Sequence, residues 1–477
     1  MNTKLTTSIA ILAIAIVAGI LMLAERPADE TTSSVIVQAG SFEKALEAVR
    51  SAGGEITHEL AIIRAVGANL TPAQVERLRA TNGLRIHGNQ GVEIAKKPPK
   101  TPDLGTVYPT LVGAQLLHAE GITGLDVTVA VLDTGWDNFG AVSLDTAGEW
   151  RVLESYDAIQ DVIVDLPWRG PVFYPPSWGE NDSNGHASHV SSILLSSGNT
   201  DFDAPEDGLY NGIAPDANLV VVKAFDRSGQ GTYADVVRAI GWVVQNQPNF
   251  DIRVLNCSFS APPRSHYWED PLNQAIMAAW QAGIVVVASA GNTGPDPMTI
   301  GVPGNVPYVI TVGAMSDNYT PTDPTDDYLG SFSSVGPTYE GFIKPDFVAP
   351  GGHMIGLIPY NSYLQVEHPD FYDADRRFTM SGTSQAAAVV SGAAALMLDA
   401  DPTLTPDDVK CRLLATARPA TDGSDAIAYS VFQQGAGMIN AYDAVHSTAS
   451  GCANLGLDIS NDLADIEPVS YTHLRAH

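Results

Sequence analysis

The chain is short of cysteine and short of positive charge, and each shortage excludes something. Three cysteines in 477 residues, Cys257, Cys411 and Cys452, cannot form a disulfide framework, and none has zinc-ligand spacing. Cys257 lies in the apolar run RVLNCSFS and reads as a buried free thiol. Cys411 and Cys452 fall near the C-terminus and are placed to pair if the chain is exported. Lysine and arginine number 25 against 54 acidic residues, a net charge of −29. That excludes nucleic acid as a partner, because phosphate binding needs a basic surface. An acidic surface of this kind keeps a soluble protein apart by self-repulsion. Charged residues make up 17% and hydrophobic ones 45%, which describes a large buried core and not a disordered chain. The length implies two or three units or one large one, and no internal repeat is evident.

The N-terminus MNTKLTTSIAILAIAIVAGILMLAERPADE carries one lysine ahead of an apolar run ending at Ala24. Residues 1–24 therefore read as a signal peptide, or as an uncleaved membrane anchor. The expected location is secreted, or anchored with the rest of the chain outside the cytoplasm. Residues 34–95 follow a βαββαβ order, the pattern of a small α+β ferredoxin-like unit. SVIVQ is a strand and FEKALEAVRSAG an amphipathic helix stopped by glycine. EITHELAIIRAVGANL reads as two strands. TPAQVERLRATNG has a threonine N-cap and proline at the first helical position, and LRIHGNQGVEI closes as one strand. The stretch 96–106, basic and proline-rich, is an extended linker and a natural place for proteolytic cutting.

From 107 to 446 the pattern changes. The apolar runs VTVAVLD, NLVVVKAF, IRVLNCSF, GIVVVASAG and YVITVGA alternate with helical segments. Continuous hydrophobic strands alternating with helices predict an α/β fold, a doubly wound and mostly parallel sheet covered on both faces. Sites in such sheets form beyond the carboxyl ends of the strands. Asp133 follows VTVAVL, His186 leads an apolar helix after Gly185, and Asn292 sits in the turn GNTG after IVVVASA. Ser384 heads the alanine-rich run MSGTSQAAAVVSGAAALML. Singly, these are a turn former, a polar helix start, a turn and a helix cap. Together they are an acid, a base, an amide donor and a hydroxyl at one end of one sheet, in the order Asp–His–Asn–Ser. An α/β-hydrolase is excluded, because its serine lies in G-x-S-x-G and precedes the acid and the histidine. Residues 447–477 form a C-terminal tail, and its abrupt end, DIEPVSYTHLRAH, is left out of fold reasoning.

On these residues the chain resembles the subtilisin-like serine proteases, the subtilases. The resemblance rests on VAVLDTG around Asp133, NGHASHV around His186, SAGNTG around Asn292 and SGTSQAAA around Ser384. It is supported by GIAPDANLVVVKAF, GQGTYADVVRAI, VPYVITVGA, SFSSVGP and KPDFVAPGG. It implies a serine endopeptidase working through an acyl-enzyme, with Ser384 as nucleophile, His186 as base, Asp133 orienting it and Asn292 in the oxyanion hole. A helix N-terminus, where unsatisfied N–H groups favour negative charge, suits such a serine. Ser381 would lie outside the helix, and Ser391, two turns in, would back-bond to a carbonyl. The resemblance also makes 107–446 the peptidase domain and 34–95 an inhibitory prodomain of a self-processing zymogen. Protein or peptide substrates would then bind as a strand between Ser228, Gly229, Gln230 and Gly231 on one side and Ser258, Phe259 and Ser260 on the other.

Several residues depart from the family pattern. Ser260 stands where glycine is usual, which narrows or reshapes the primary specificity pocket, and Phe259 would make the neighbouring subsite aromatic. His186-Ala187-Ser188-His189 replaces His-Gly-Thr-His, and Gln385 replaces an oxidisable methionine beside the nucleophile. The segment between Asp133 and His186 is long and carries Trp168, Tyr174 and Trp178, a lid, a cleft extension or a surface loop. The chemistry requires no cofactor. The acidic loops NTDFDAPEDG and SDNYTPTDPTDD are where structural calcium would bind, although neither matches an EF-hand and no ligands are assigned. Two other functions fit the same motifs: a catalytically inactive subtilase-fold peptide-binding module, and a peptide ligase or cyclase in which an amine intercepts the acyl-enzyme.

Overall fold

A computed structural model describes residues 32–94, 108–166, 182–198, 210–320, 325–373, 375–421 and 426–464. The N-terminal apolar run, the 96–106 linker, Trp168, Tyr174, Trp178, the loop 199–208 and the last residues from Asp465 lie outside these. No helix among the described residues is long and apolar enough to cross a membrane.

The chain forms two units, one made of residues up to 57 and 64–88, the other of 58–63 and everything from 89 on. The first carries β1 (Ser33–Gln38), α1 (Phe42–Ala52), β2 (Glu55–Leu60, running into the 58–63 segment), β3 (Ala65–Leu70), α2 (Pro72–Arg79) and β4 (Arg85–Gly88), with sheet order β2-β3-β1-β4. Alternation along β1 and β3 sends Val35, Val37, Val66, Ala68 and Leu70 onto Ala45 and Val49 of α1 and Leu78 of α2. Ser41 caps α1, and Thr71 with Gln74 forms a capping box on α2, satisfying N–H groups that a helix start leaves open. The closing run read as one strand is two. The chain breaks after Gly88, and β5 (Gly91–Ile94) pairs elsewhere.

The second unit is built on a nine-stranded sheet. Its strands are β6 (Thr128–Asp133), β7 (Val152–Asp157), β8 (Val162–Ile163), β9 (Asn218–Lys223), β11 (Ile252–Cys257), β13 (Val285–Ser289), β14 (Ile310–Ser316), β15 (Tyr328–Leu329) and β16 (Phe347–Pro350). The order is β15-β14-β13-β11-β6-β9-β7-β8, with β16 beside β14. All pairings are parallel except β14 with β15 and β7 with β8, at the ends of this order. Strands β6, β13 and β14 are buried throughout because helices cover the sheet, which explains their unbroken hydrophobic runs. Helices α3 (His186–Leu195) and α6 (Thr383–Ala400) pack together, as do α4 (Tyr233–Phe250) and α5 (Pro271–Gln281). A separate three-stranded antiparallel sheet has β5 between β10 (Gln230–Thr232) and β12 (Phe259–Ser260).

Every residue from Thr383 to Leu398 of α6 is buried, and its small side chains let neighbours close in. A Cβ at Gly392 would lie 2.5 Å from the Ile213 side chain. Two polar fixtures hold the surroundings of α6. A hairpin of β17 (Met354–Leu357) and β18 (Arg377–Met380) docks on α3 through His189, whose Nε2–H donates to the Phe378 carbonyl at 2.9 Å. Burial, with His186 nearby, depresses His189 to about 3, so it stays neutral. The C-terminal segment is fastened by the Cys411–Cys452 disulfide, and buried Asp462 accepts from Tyr267 and Tyr308, each at 2.7 Å. The stretch read as a tail from 447 thus continues the unit to Ala464. Cys257 is free and buried.

Two stability predictions follow, both read in a Ser384→Ala background. The disulfide closes a loop of sequence separation 41. Cys452→Ser is expected to lower the unfolding free energy by about 2–4 kcal/mol, measured by urea denaturation. His189 takes up a proton on unfolding once pH falls below about 6.5, its ordinary value, but in the fold only near 3. The unfolded state therefore binds the extra proton between those limits, and stability drops as pH falls, by up to about 1.4 kcal/mol per pH unit. His189→Gln is expected to flatten that acid limb, measured as urea midpoints from pH 7 down.

Candidate active site

The site forms where β6, β11 and β13 end and α3 and α6 begin. Asp133, the last residue of β6, is buried, and its Oδ1 accepts the Thr134 N–H at 2.8 Å. His186, the first residue of α3, is also buried and donates from Nδ1 to Asp133 Oδ1 at 2.8 Å and Oδ2 at 2.9 Å. That contact fixes the tautomer and leaves Nε2 free to act as a base. His186 Nε2 is buried without a partner.

The carboxylate that secures this pair is Asp182, to which the sequence reading assigned no role. It accepts Thr134 Oγ1, Gly185 N, Ser188 N and Ser188 Oγ at 2.7–2.8 Å. Thr134 Oγ1 accepts the Ala187 N–H in turn at 3.0 Å. One buried acid thereby ties the end of β6 to the first turn of α3, on whose positive end it sits. The available signal was an acid shortly before a helix start. Gly185 holds φ 101°, a left-handed conformation that glycine adopts without strain.

Asn292 lies in the turn after β13. Its Oδ1 accepts both the backbone N–H and the hydroxyl of Thr383, at 3.0 and 2.8 Å. A backbone N–H can only donate, so the amide orientation is determined. Asn292 Nδ2 is left buried and unpartnered. Ser384, second residue of α6, is fully buried. The helix is capped by Gly382 without a side-chain bond, so Ser384 is not its cap. Its hydroxyl donates to the Ser258 carbonyl at 3.0 Å, and Ser258 Oγ donates back to the Ser384 carbonyl at 2.9 Å. The structure does not hydrogen-bond Ser384 to His186, whose Nε2 has no partner; a χ1 rotation of the serine would re-aim its hydroxyl.

Ser381 accepts the His353 N–H at 2.9 Å, outside the helix as expected. Ser391 corrects the reading. It donates to Asn256 Oδ1 at 2.9 Å, because the end of β11 lies against α6 there, and Asn256 passes the bond on to Ser258. Gln385 approaches His189, its Nε2 lying 3.4 Å from Nδ1.

The expected substrate-binding segments flank β5. Gln230 and Gly231 oppose Glu93 and Val92, and Phe259 and Ser260 oppose Ile94 and Glu93. The Gly229 carbonyl accepts the Ile94 N–H at 3.3 Å. Ser228 instead shapes the turn before β10, donating to Asp226 at 2.6 Å, and Thr232, which the sequence reading left out, completes the edge opposite Gly91. Phe259 is buried against Phe225, ring centroids 5.2 Å apart.

No group of three or more His, Cys, Asp or Glu among the described residues is assembled to hold a metal ion. The acidic stretch 199–208 lies outside them, and the loop 316–327 is described only in part.

Comparison with known proteins agrees with the geometry. The subtilase family, peptidase S8, matches residues 124–437. The serine protease AprX of Bacillus subtilis is 38% identical over 333 residues, 69% of this chain and 68% of AprX. Subtilisin DY of Bacillus licheniformis is 32% identical over 332 residues, 69% of this chain and 94% of that protein. Among solved structures, fervidolysin from Fervidobacterium pennivorans, a keratinolytic enzyme related to subtilisin, shares the fold with TM-score 0.64 at 20% identity, over 89% of this chain and 62% of that one. With a serine near the start of a buried helix, a histidine–aspartate pair and an unpartnered amide at one sheet end, the chain belongs to the subtilase family and is a subtilisin-like serine endopeptidase.

Proposed function

We propose that the chain is a secreted, self-processing zymogen that hydrolyses peptide bonds through Ser384, His186 and Asp133, with Asn292 in the oxyanion hole. The observation that carries this is a pair of orphaned polar atoms at the sheet end where Ser384 lies. His186 Nε2 and Asn292 Nδ2 are both buried without a partner. Leaving buried polar atoms unpaired costs roughly 1–3 kcal/mol each. These two are the acceptor and the donor that acyl transfer at a serine needs.

In this mechanism His186 Nε2 takes the proton of Ser384 Oγ as the oxygen attacks the carbonyl carbon. It later delivers that proton to the leaving amine. Asp133 holds the tautomer and stabilises the imidazolium. The oxyanion accepts from Asn292 Nδ2 and from the backbone N–H of Ser384. Water then repeats the sequence on the acyl-enzyme, restoring the serine.

Substrate binds as the chain's own β5 does, antiparallel between β10 and β12. Main-chain hydrogen bonds supply the affinity, so many sequences are accepted. Because β5 continues directly from β4, residues 34–95 act as an intramolecular inhibitor until the following linker is cut. The N-terminal run 1–24 is the export signal or anchor in this reading.

Wild-type protein is expected to acquire a new N-terminus within 95–106 and to take a fluorophosphonate label on Ser384. Ser384→Ala purified alone is expected to stay full length, read by mass spectrometry. The same autocleaved N-terminus in Ser384→Ala would remove self-processing. Asn292→Ala is expected to lower kcat by about 10²–10³-fold with little change in KM, the cost of removing such a donor in a subtilisin. Steady-state kinetics on a peptide substrate checks it.

A further inference from the structure

We infer that Ser260 makes this enzyme selective for a small side chain immediately before the cut bond, with aliphatic side chains at the second and fourth positions before it. The inference rests on the peptidase reading above and concerns which peptides it accepts.

The occupying strand supplies the register. Along β5, Val92 and Ile94 are buried, while Gly91 and Glu93 are exposed. Opposed residues of an antiparallel pair project to the same face. Ile94 therefore shares a face with Phe259, and Glu93 shares the other with Ser260. A substrate residue one place beyond that of Ile94 would, in this register, fall opposite Ser258, whose carbonyl accepts the Ser384 hydroxyl. That position supplies the carbonyl to be attacked. Strand periodicity of two returns its side chain to the face of Ser260.

That face is already filled. A Cβ on Gly301 would lie 1.9 Å from Ser260 Oγ, and one on Gly291 3.0 Å from it. The serine hydroxymethyl thus rests against both glycine α-carbons and takes the room two glycines provide. The surrounding segments are also tied together. Ala261 and Val302 exchange backbone bonds of 3.0 and 2.8 Å, Gly301 N donates to the Ala290 carbonyl at 3.0 Å, and Ser289 Oγ donates to the Phe259 carbonyl at 3.0 Å. Widening the slot for an aromatic or leucine side chain would break these bonds. Glycine, alanine or serine needs no such change.

The opposite face is permissive for aliphatic groups. Val92 and Ile94 are 0% and 4% exposed there, alongside Phe259, while Glu93 points away. The favoured peptide reads aliphatic, any residue, aliphatic, small, then the cut. The chain's own sequence from Val92 runs Val-Glu-Ile-Ala.

The test uses processed enzyme and peptides that keep valine and isoleucine at those positions, varying only the residue before the cut among alanine, leucine and phenylalanine. Wild type is expected to favour alanine over phenylalanine in kcat/KM by at least about 10-fold, the scale on which an ill-fitting apolar group is discriminated. Ser260→Gly is expected to raise the ratio of kcat/KM for phenylalanine over alanine at least about 10-fold. Ser260→Ala, which removes only the hydroxyl, should fall between, and guards against a glycine that loosens the strand. Preference for phenylalanine or leucine in wild type, or an unchanged ratio in both variants, overturns the size gate while the peptidase function stands. No cleavage of any peptide together with no fluorophosphonate label on Ser384 overturns both.

Discussion

The arrangement depends on keeping an aspartate and a histidine in contact where no water reaches them. Asp133 and His186 are both buried, and an ionisable pair in such a place is favourable only if its remaining lone pairs and protons are satisfied in good geometry. The protein meets that demand with backbone and hydroxyl donors. Thr134 N–H bonds Asp133, and the neighbouring Asp182 gathers four donors from the two chain segments that must meet. The same bonds that satisfy Asp182 set the offset between β6 and α3. Position and electrostatics are therefore one problem with one solution, and a shift of either element would unsatisfy a buried carboxylate as well as move the histidine.

A second constraint comes from α6. Because the helix is buried from Thr383 to Leu398, its serines must find partners inside, and they do so in series. Ser391 bonds Asn256, Asn256 bonds Ser258, and Ser258 and Ser384 bond each other. This chain starts two turns into the helix and ends at the Ser384 hydroxyl. It anchors the end of β11 and the first turn of α6 to each other, and so holds β12 close to Ser384. Polar residues in the core are here an alignment device, at the cost of demanding that every member be satisfied.

The central strands β6, β9, β11, β13 and β14 were legible because they are largely buried and so appear as apolar runs. Asp133, His186, Asn292 and Ser384 were legible because each sits at the junction of such a run with a turn or helix. What escaped notice was set by contacts between segments far apart in the chain. Asp182 looked like one more acid in a loop, since nothing local reveals that Thr134 donates to it. Ser391 was expected to bond its own helix because its partner Asn256 is distant in sequence. The break after Gly88 escaped because LRIHG and GVEI both have strand composition, and only pairing partners decide which sheet each joins. Ser260 was readable as a departure from glycine, but its consequence needed the positions of Gly291 and Gly301.

Unpaired buried polar atoms are not all of one kind. A helix end or a core amide left unpaired is normally a defect that folding removes. His186 Nε2 and Asn292 Nδ2 are left unpaired although the other polar atom of each side chain is tightly bound, by Asp133 in one case and by Thr383 in the other. Holding one end of a side chain so firmly prevents the free end from turning to find a partner of its own. The free ends are thereby held in place, and the cost of leaving them bare is met by the surrounding core. In the proposed mechanism the missing partners would be the Ser384 hydroxyl for His186 Nε2 and the substrate's carbonyl oxygen for Asn292 Nδ2, and holding both ends bare beforehand is what preorganisation would consist of.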